Sequence, residues 1–238
     1  STGALLTGAT LIVKRIRGIR RAAMAPAMPT KAGHKVIICD CGANAECSPE
    51  FLLQFGLVAS SYSKYTLGVE NPRVGLLNIG TEDSKGTQLQ KDAYAMLQKA
   101  HDQGLIHFVG NVEARDVPMG VVDVVVCDGF NGNILLKTLE GTVDMLMKNL
   151  KGALMSSLRT KLGALLVMPA MRVIKKKLSA SEHGGAVLLG VNRPVVKAHG
   201  NANAKAIASA VRVAAEFAES GVVEEITAVS GKKEEAAE

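Results

Sequence analysis

Four times in this 238-residue chain a short apolar run ends in a corner of Gly, Asn, Asp or Glu. Lys35–Cys39 leads into Asp40-Cys41-Gly42-Ala43-Asn44, with a helical pattern from about Pro49 to Lys64. Arg73–Ile79 leads into Gly80-Thr81-Glu82, with a helix from about Gly86 to Gln103. Ile106–Val109 runs into Gly110-Asn111-Val112-Glu113 and a loop toward Val117. Val121–Cys127 ends in Asp128-Gly129-Phe130-Asn131-Gly132-Asn133, and a long helix begins at once. Continuous apolar strands alternating with amphipathic helices predict an α/β protein whose mostly parallel sheet is covered on both faces. Ligands of such sheets gather beyond the carboxyl ends of the strands. Asp40, Asn44, Asn78, Glu82, Asn111, Glu113, Asp128 and Asn133 all fall at that end. Any one Asp or Asn also serves as a helix cap or turn residue. Four such corners in one chain point to a shared site.

Composition narrows the function. Aromatic residues make up 3% of the chain and Trp is absent, which argues against a nucleic-acid platform of stacked rings. The net charge of +6 favours acidic partners. It is unevenly spread: between Asp144 and Glu182 there is no acid, while Lys148, Lys151, Arg159, Lys161, Arg172, Lys175, Lys176 and Lys177 fall inside. Cys39, Cys41, Cys47 and Cys127 form no CxxC pair, and Cys39-Asp40-Cys41 lacks the second half of a metal site. Free thiols in a reducing cytoplasm are expected, with no metal. No apolar run reaches eighteen residues. The start, Ser1-Thr2-Gly3-Ala4-Leu5-Leu6, reads as the cap and first turn of a helix whose preceding strand lies outside the sequence.

The stretch 150–178 is apolar and basic, and Pro169 is expected to break it into two helical pieces. Such a pattern suits a membrane surface or an acidic groove, and equally a dimer-forming helix pair. Gly184-Gly185 and His199-Gly200-Asn201 each introduce a new element, and a helix over about 202–220 ends in a Gly221 cap. One domain over 1–231 is expected, with 150–178 as an amphipathic helical insertion and 232–238 as a disordered tail.

No GxGxxG, GxxxxGK[ST], GxSxG or HExxH motif occurs. What remains are glycine-bearing helix starts, which attract anions through free N–H groups and the helix dipole. Ser1-Thr2-Gly3 and Gly132-Asn133 are candidates. Lys85, at the mouth of a strand-to-helix loop, suits a phosphate as a point charge or is an ordinary exposed lysine. His199 is a candidate general acid, although a capping role is the simpler reading.

Several segments together resemble the PlsX family of phosphate acyltransferases: "DCGAN" (40–44), "NPRVGLLNIGTEDSKG" (71–86), "GNVEARD" (110–116), "VDVVVCDGFNGNILLKTLEG" (122–141), "GGAVLLGV" (184–191) and "VKAHGNAN" (196–203). The resemblance covers nearly the whole chain, in order, and lacks the family's N-terminal segment. It implies a three-layer α/β/α fold like that of isocitrate and isopropylmalate dehydrogenases, with phosphate acetyltransferases as more distant kin. It further implies a cytoplasmic homodimer without a cofactor. The implied reaction moves a fatty acyl group from acyl-acyl carrier protein to inorganic phosphate, feeding phospholipid synthesis. Peripheral membrane or carrier contact would fall to Arg159, Lys161, Leu165, Leu166, Arg172, Lys175 and Lys176.

Phosphate is already an anionic nucleophile, so such a site needs positioning and oxyanion stabilisation rather than a strong base. Lys85 is expected to neutralise phosphate or the oxyanion, Asn133 and Asn78 to donate amide hydrogens, and His199 to protonate the leaving thiolate. Ser1, Thr2 and Gly3 would offer a helix start to phosphate. Asp40, Asn44, Gly132 and Gly200 would complete the binding surface, with Asp128 organising its loop. Two other readings stay open: a phosphate acetyltransferase-like enzyme, and a non-catalytic adaptor for membrane and carrier protein.

Overall fold

The computed structural model describes residues 2–178, 184–200 and 202–235, with side chains as far as residue 174 in the fifth helix and 228 in the last. Among the described residues, seven strands form one mixed sheet in the order β4-β3-β5-β2-β1-β6-β7. They are β1 (Ala23–Pro29), β2 (Lys35–Cys39), β3 (Arg73–Asn78), β4 (His107–Glu113), β5 (Val124–Val126), β6 (Ala186–Leu189) and β7 (Val196–Lys197). β4, β3, β5 and β2 run parallel, while β1, β6 and β7 pair antiparallel along the other flank. The parallel half is the part that the run-and-corner pattern predicts. β1 escapes that pattern because Pro26 and Pro29 read as punctuation and no β-branched residue marks it as a strand.

Side chains alternate across the sheet with the two-residue strand period. Ile37, Cys39, Val74, Leu76, Val124 and Val126 face one layer, made by α2 (Pro49–Leu67), α3 (Gln88–Asp102), α6 (Ala204–Glu219) and α7 (Val222–Glu235). Val36, Ile38, Val125 and Cys127 face the other, where Leu135 of α4 (Gly129–Leu154) covers them. Leu5 and Leu6 of α1 (Thr2–Gly8) cover Met24 and Leu188 on that side. The three-layer α/β/α expectation holds. Leu52, Phe55, Ala59 and Tyr62 form the inner stripe of α2, and burial of each large member contributes about 1.5–3 kcal/mol.

Helix ends follow local chemistry. Ser48 and Pro49 start α2, and Gly68 at φ 74° ends it. Thr87 and Gln90 form a capping box at α3. The stretch 150–178 does not break at Pro169. The chain breaks at Met155–Ser157, and α5 (Leu158–Leu178) runs through the proline. Ser157 and Thr160 cap each other at this break, Thr160 N donating to Ser157 Oγ (3.2 Å) and Ser157 N to Thr160 Oγ1 (3.0 Å). The carbonyl left without a partner by Pro169 belongs to Leu165, on an exposed turn that water reaches. At the end of the chain α7 continues to Glu235, so the first four residues of the expected tail at 232–238 are helical, and 236–238 lie outside the described residues.

Candidate active site

Asp40, at the carboxyl end of β2, is fully buried. Its Oδ1 accepts from Met24 N (2.8 Å), and its Oδ2 from Asn44 N (2.6 Å), Asn44 Nδ2 (3.0 Å) and Ala43 N (3.1 Å). Burial raises the Asp40 pKa, and these N–H donors pull it only part of the way back. The backbone here is laced to β5: Asp40 N donates to Cys127 O and Cys127 N to Cys39 O, at 2.9 and 2.8 Å.

The helix α4 then presses its first turn onto this corner. Gly129 N donates to Asn44 O (2.7 Å). A Cβ at Gly129 would lie 2.5 Å from that same oxygen, and one at Gly132 only 1.9 Å from Asp40 O. Both glycines are therefore required by close backbone approach. Asp128 caps the helix: its Oδ1 accepts from Asn131 N (2.8 Å) and its Oδ2 from Asn131 Nδ2 (2.7 Å). Asp128 organises the loop, as the sequence suggests. Asn133 is exposed one residue past Gly132, and Gly42 packs beside it, so that a Cβ at Gly42 would stand 3.6 Å from Asn133 Cγ.

The adjoining corner, after β3, is built around Asn78. Its Nδ2 donates to Lys85 O (3.1 Å) and its Oδ1 accepts from Ile79 N (2.8 Å). Asn78 thus shapes the loop through both polar atoms of its side chain, and its Nδ2 retains a second hydrogen. Lys85 is exposed and stands 3.9 Å from Glu82 Oε1, a loose pair. Asn111 of β4 steadies the same loop by donating to Glu82 O (2.7 Å). Because the strand order is β3-β5-β2, the Lys85 loop, the Asn133 turn and the Asp40 corner occupy neighbouring strand ends, each step about 4.8 Å.

An open cleft of about 430 Å³ lies at this end, lined by Glu46, Cys47, Leu89, Phe130 and Asn131 among others. Sequence reading passes over Phe130 and Leu89, since a lone apolar residue in a corner carries no chemical signature. The thiols nearby are held protonated by burial. Burial pushes Cys47 up to about 12 and raises Cys39, Cys41 and Cys127 as well, so none is poised as a nucleophile. Among the described residues no group of three potential metal ligands occurs.

Other expected site residues lie elsewhere. His199 and Gly200 follow β7 at the sheet edge, four strands from β5, and are not brought to the Asp40–Asn133 corner. Thr2, in α1 beside Gly3, accepts at its hydroxyl from Lys197 Nζ of β7 (2.5 Å). Lys197 is a contact that no spacing in the sequence announces. Ser1 lies outside the described residues, as do the side chains of Lys175 and Lys176. Arg159, Lys161, Leu165, Leu166 and Arg172 are exposed on α5, which packs on α4.

The model of the fatty acid synthesis protein family matches residues 1–225. The chain belongs to that family. It is 47% identical over 233 residues to a phosphate acyltransferase of Bacillus cytotoxicus, and 48% identical to one of Bacillus cereus strain B4264. Each match takes in 98% of this chain and 69% of the relative. Among solved structures, EutD phosphotransacetylase from Staphylococcus aureus aligns with a TM-score of 0.60 at 20% identity over 92% of this chain. A phosphotransacetylase from Streptococcus pyogenes gives 0.60 at 18% identity. The chain spans 60% of the length of each of these two. At such identities the likeness establishes the α/β fold.

Proposed function

We propose that this chain transfers a fatty acyl group from acyl-acyl carrier protein to inorganic phosphate, yielding acyl phosphate for phospholipid synthesis. The observation that carries the reading is the match, over 98% of the chain, to relatives named phosphate acyltransferase. The corner chemistry agrees with it. A thioester carbonyl attacked by phosphate needs a cation, fixed donors and no covalent nucleophile. Lys85 supplies the cation at the β3 end. Asn133 presents an exposed side-chain amide at the start of α4, where the helix dipole favours an anion. The buried Asp40 and Asp128 carboxylates are turned inward onto backbone N–H groups, which spares phosphate their charge. Thr2, Gly3 and His199 belong to the reading only if the assembled enzyme brings the β7 edge to the same substrate.

The test is hydroxylamine-trapped acyl phosphate from acyl-acyl carrier protein plus phosphate. Product requiring both substrates is expected; its absence from an intact, folded preparation would reject the reading. The Lys85→Ala variant is expected to lose about 100-fold or more in turnover, the scale of removing one stabilising group. Carrier affinity should change little in that variant, and undiminished turnover would remove Lys85 from the site.

The α4–α5 pair supports a peripheral, cytoplasmic-face membrane role and a homodimer. Leu158, Leu162, Leu165 and Leu166 are exposed on α5 beside Arg159, Lys161 and Arg172, a combination suited to an anionic interface. No described helix is long and apolar enough to cross a membrane. Replacing Leu165 and Leu166 by Glu is expected to abolish salt-sensitive binding to anionic vesicles. Unchanged binding would assign the pair to dimer contact alone.

A further inference from the structure

Ahead of β1, residues 14–21 read Lys-Arg-Ile-Arg-Gly-Ile-Arg-Arg, five cations in eight positions, and no acid precedes Asp40 in the chain. Lys14, Arg15, Arg17, Arg20 and Arg21 are all exposed. The backbone beneath them is held. Ile16 and Ile19 are buried as anchors, Ile16 N donates to Gly190 O (3.0 Å) and Asn192 N to Lys14 O (3.0 Å). Gln54 of α2 clasps the turn from both sides, donating to Gly18 O (2.8 Å) and accepting from Arg20 N (2.9 Å). The result is a fixed ridge carrying exposed cations.

Its place in the fold gives the ridge meaning. β1 runs antiparallel to β2, so the ridge enters the sheet at the carboxyl end of the parallel strands. Ala22, the residue after Arg21, accepts from Asn44 Nδ2 (2.8 Å), and Met24 N reaches Asp40. The cations do not converge as a pocket for one small anion would require: Arg15 is turned to Arg20 O, while Arg21 lies 5.7 Å over the Phe51 ring. Glu50 of α2 lies within electrostatic reach of Arg20, but the cations outnumber it.

We propose that the Lys14–Arg21 ridge is the docking surface for an acidic carrier protein that delivers the acyl thioester to the adjoining corner. The proposal rests on the acyl-transfer reading above and deepens it by placing the donor's protein part. An extended row of cations fits an extended acidic face, raises the encounter rate and makes it depend on salt. The second basic run, on α4 and α5, is left for other contacts.

The test is titration of fluorescently labelled apo acyl carrier protein into the full chain and into its Arg20→Glu/Arg21→Glu variant. Affinity is expected to fall about ten-fold or more at low ionic strength, with the difference shrinking as salt screens the charges. An Arg20→Gln/Arg21→Gln variant should show a smaller loss with an unchanged circular dichroism spectrum. A carrier with a surface acid changed to lysine should recover affinity for the Glu variant, which a merely structural defect would not allow. Lys148→Glu/Lys151→Glu on α4 should bind carrier as the parent does. Unchanged carrier affinity in the ridge variant, or equal loss in the α4 variant, overturns the proposal. So does loss of binding to phosphatidylglycerol vesicles with carrier binding intact, which would assign the ridge to lipid. Carrier binding without acyl-phosphate production leaves the ridge standing and rejects only the transfer reading.

Discussion

Asp40 and Asp123 are both buried acids on the parallel half of the sheet, one past the end of β2 and the other just before β5. They sit at opposite ends and are accommodated in opposite ways. Asp40 accepts from the N–H groups of Met24, Ala43 and Asn44, and burial leaves its pKa raised. At Asp123 burial also works to raise the pKa, but the hydrogen bonds and charge of Arg73, with a smaller contribution from His34, outweigh it and hold the carboxyl below its usual value. Arg73 Nε donates at 2.9 Å, and His34 Nε2 stands 3.2 Å from Oδ1. The difference reflects depth as well as partner. Asp40 is the more deeply desolvated and is helped by N–H dipoles, whereas Asp123 is less deeply desolvated and also meets the formal charge of Arg73. The amino end is thereby a structural clamp. The carboxyl end keeps its cation, Lys85, uncommitted to any buried acid.

The largest effect should come from forcing a side chain into the Asp40 corner. Gly132→Ala places a Cβ against the Asp40 carbonyl oxygen, and a loss of about 3 kcal/mol or more is expected from such overpacking. Denaturant unfolding measures it, and an unchanged midpoint would mean the corner opens easily. Asp123→Asn comes next, at about 2 kcal/mol, the scale of hydrogen bonds to charged groups. Because the folded pKa of Asp123 is lowered, its stabilisation is present above the ordinary carboxylate value and is lost as pH falls through the lowered one. Parent and variant should therefore converge in acid; a constant gap there would disprove the charge-based clamp.

Asp40→Asn is expected to cost about 1–2 kcal/mol, since an amide turns a donor toward N–H groups that need acceptors. Here the sign reverses. A raised folded pKa means the ionised form is the less stable one, so the Asp40 contribution is greatest below the ordinary carboxylate value and declines as pH rises through the raised one. Asp40→Asn should remove that falling limb from the stability profile. If the limb survives, the difference between the two ends is smaller than drawn.

Which strands are parallel, where helices begin, and that Asp128 organises its corner are all legible in residues 35–141, because each is set within one strand-corner-helix unit. The sequence presents Gly132-Asn133 only as a glycine-bearing helix start; the close approach of Gly129 and Gly132 to the oxygens of Asn44 and Asp40, from another corner, is a property of the fold. The pairing of Lys197 with Thr2 and the distance of His199 from β5 depend on contacts across long sequence separations. The loop role of Asn78 rests instead on its near neighbours Ile79 and Lys85, and is missed because a lone Asn in a corner has several uses. Pro169 misleads for a different reason. An exposed helix tolerates a proline when water takes the orphaned carbonyl, while Ser157 and Thr160 decide the break by capping.

By itself the sequence determined the run-and-corner order, the family and the clustering of polar residues at one end of the strands. These properties follow from periodicity and turn chemistry acting over a few residues at a time. Only the tertiary structure decided that Pro-bearing β1 enters the sheet, that two buried acids have their pKa values shifted in opposite directions, and that a basic ridge stands beside the Asp40 corner. Each of those depends on which distant groups share a space, and desolvation and charge act through that space without regard to position along the chain.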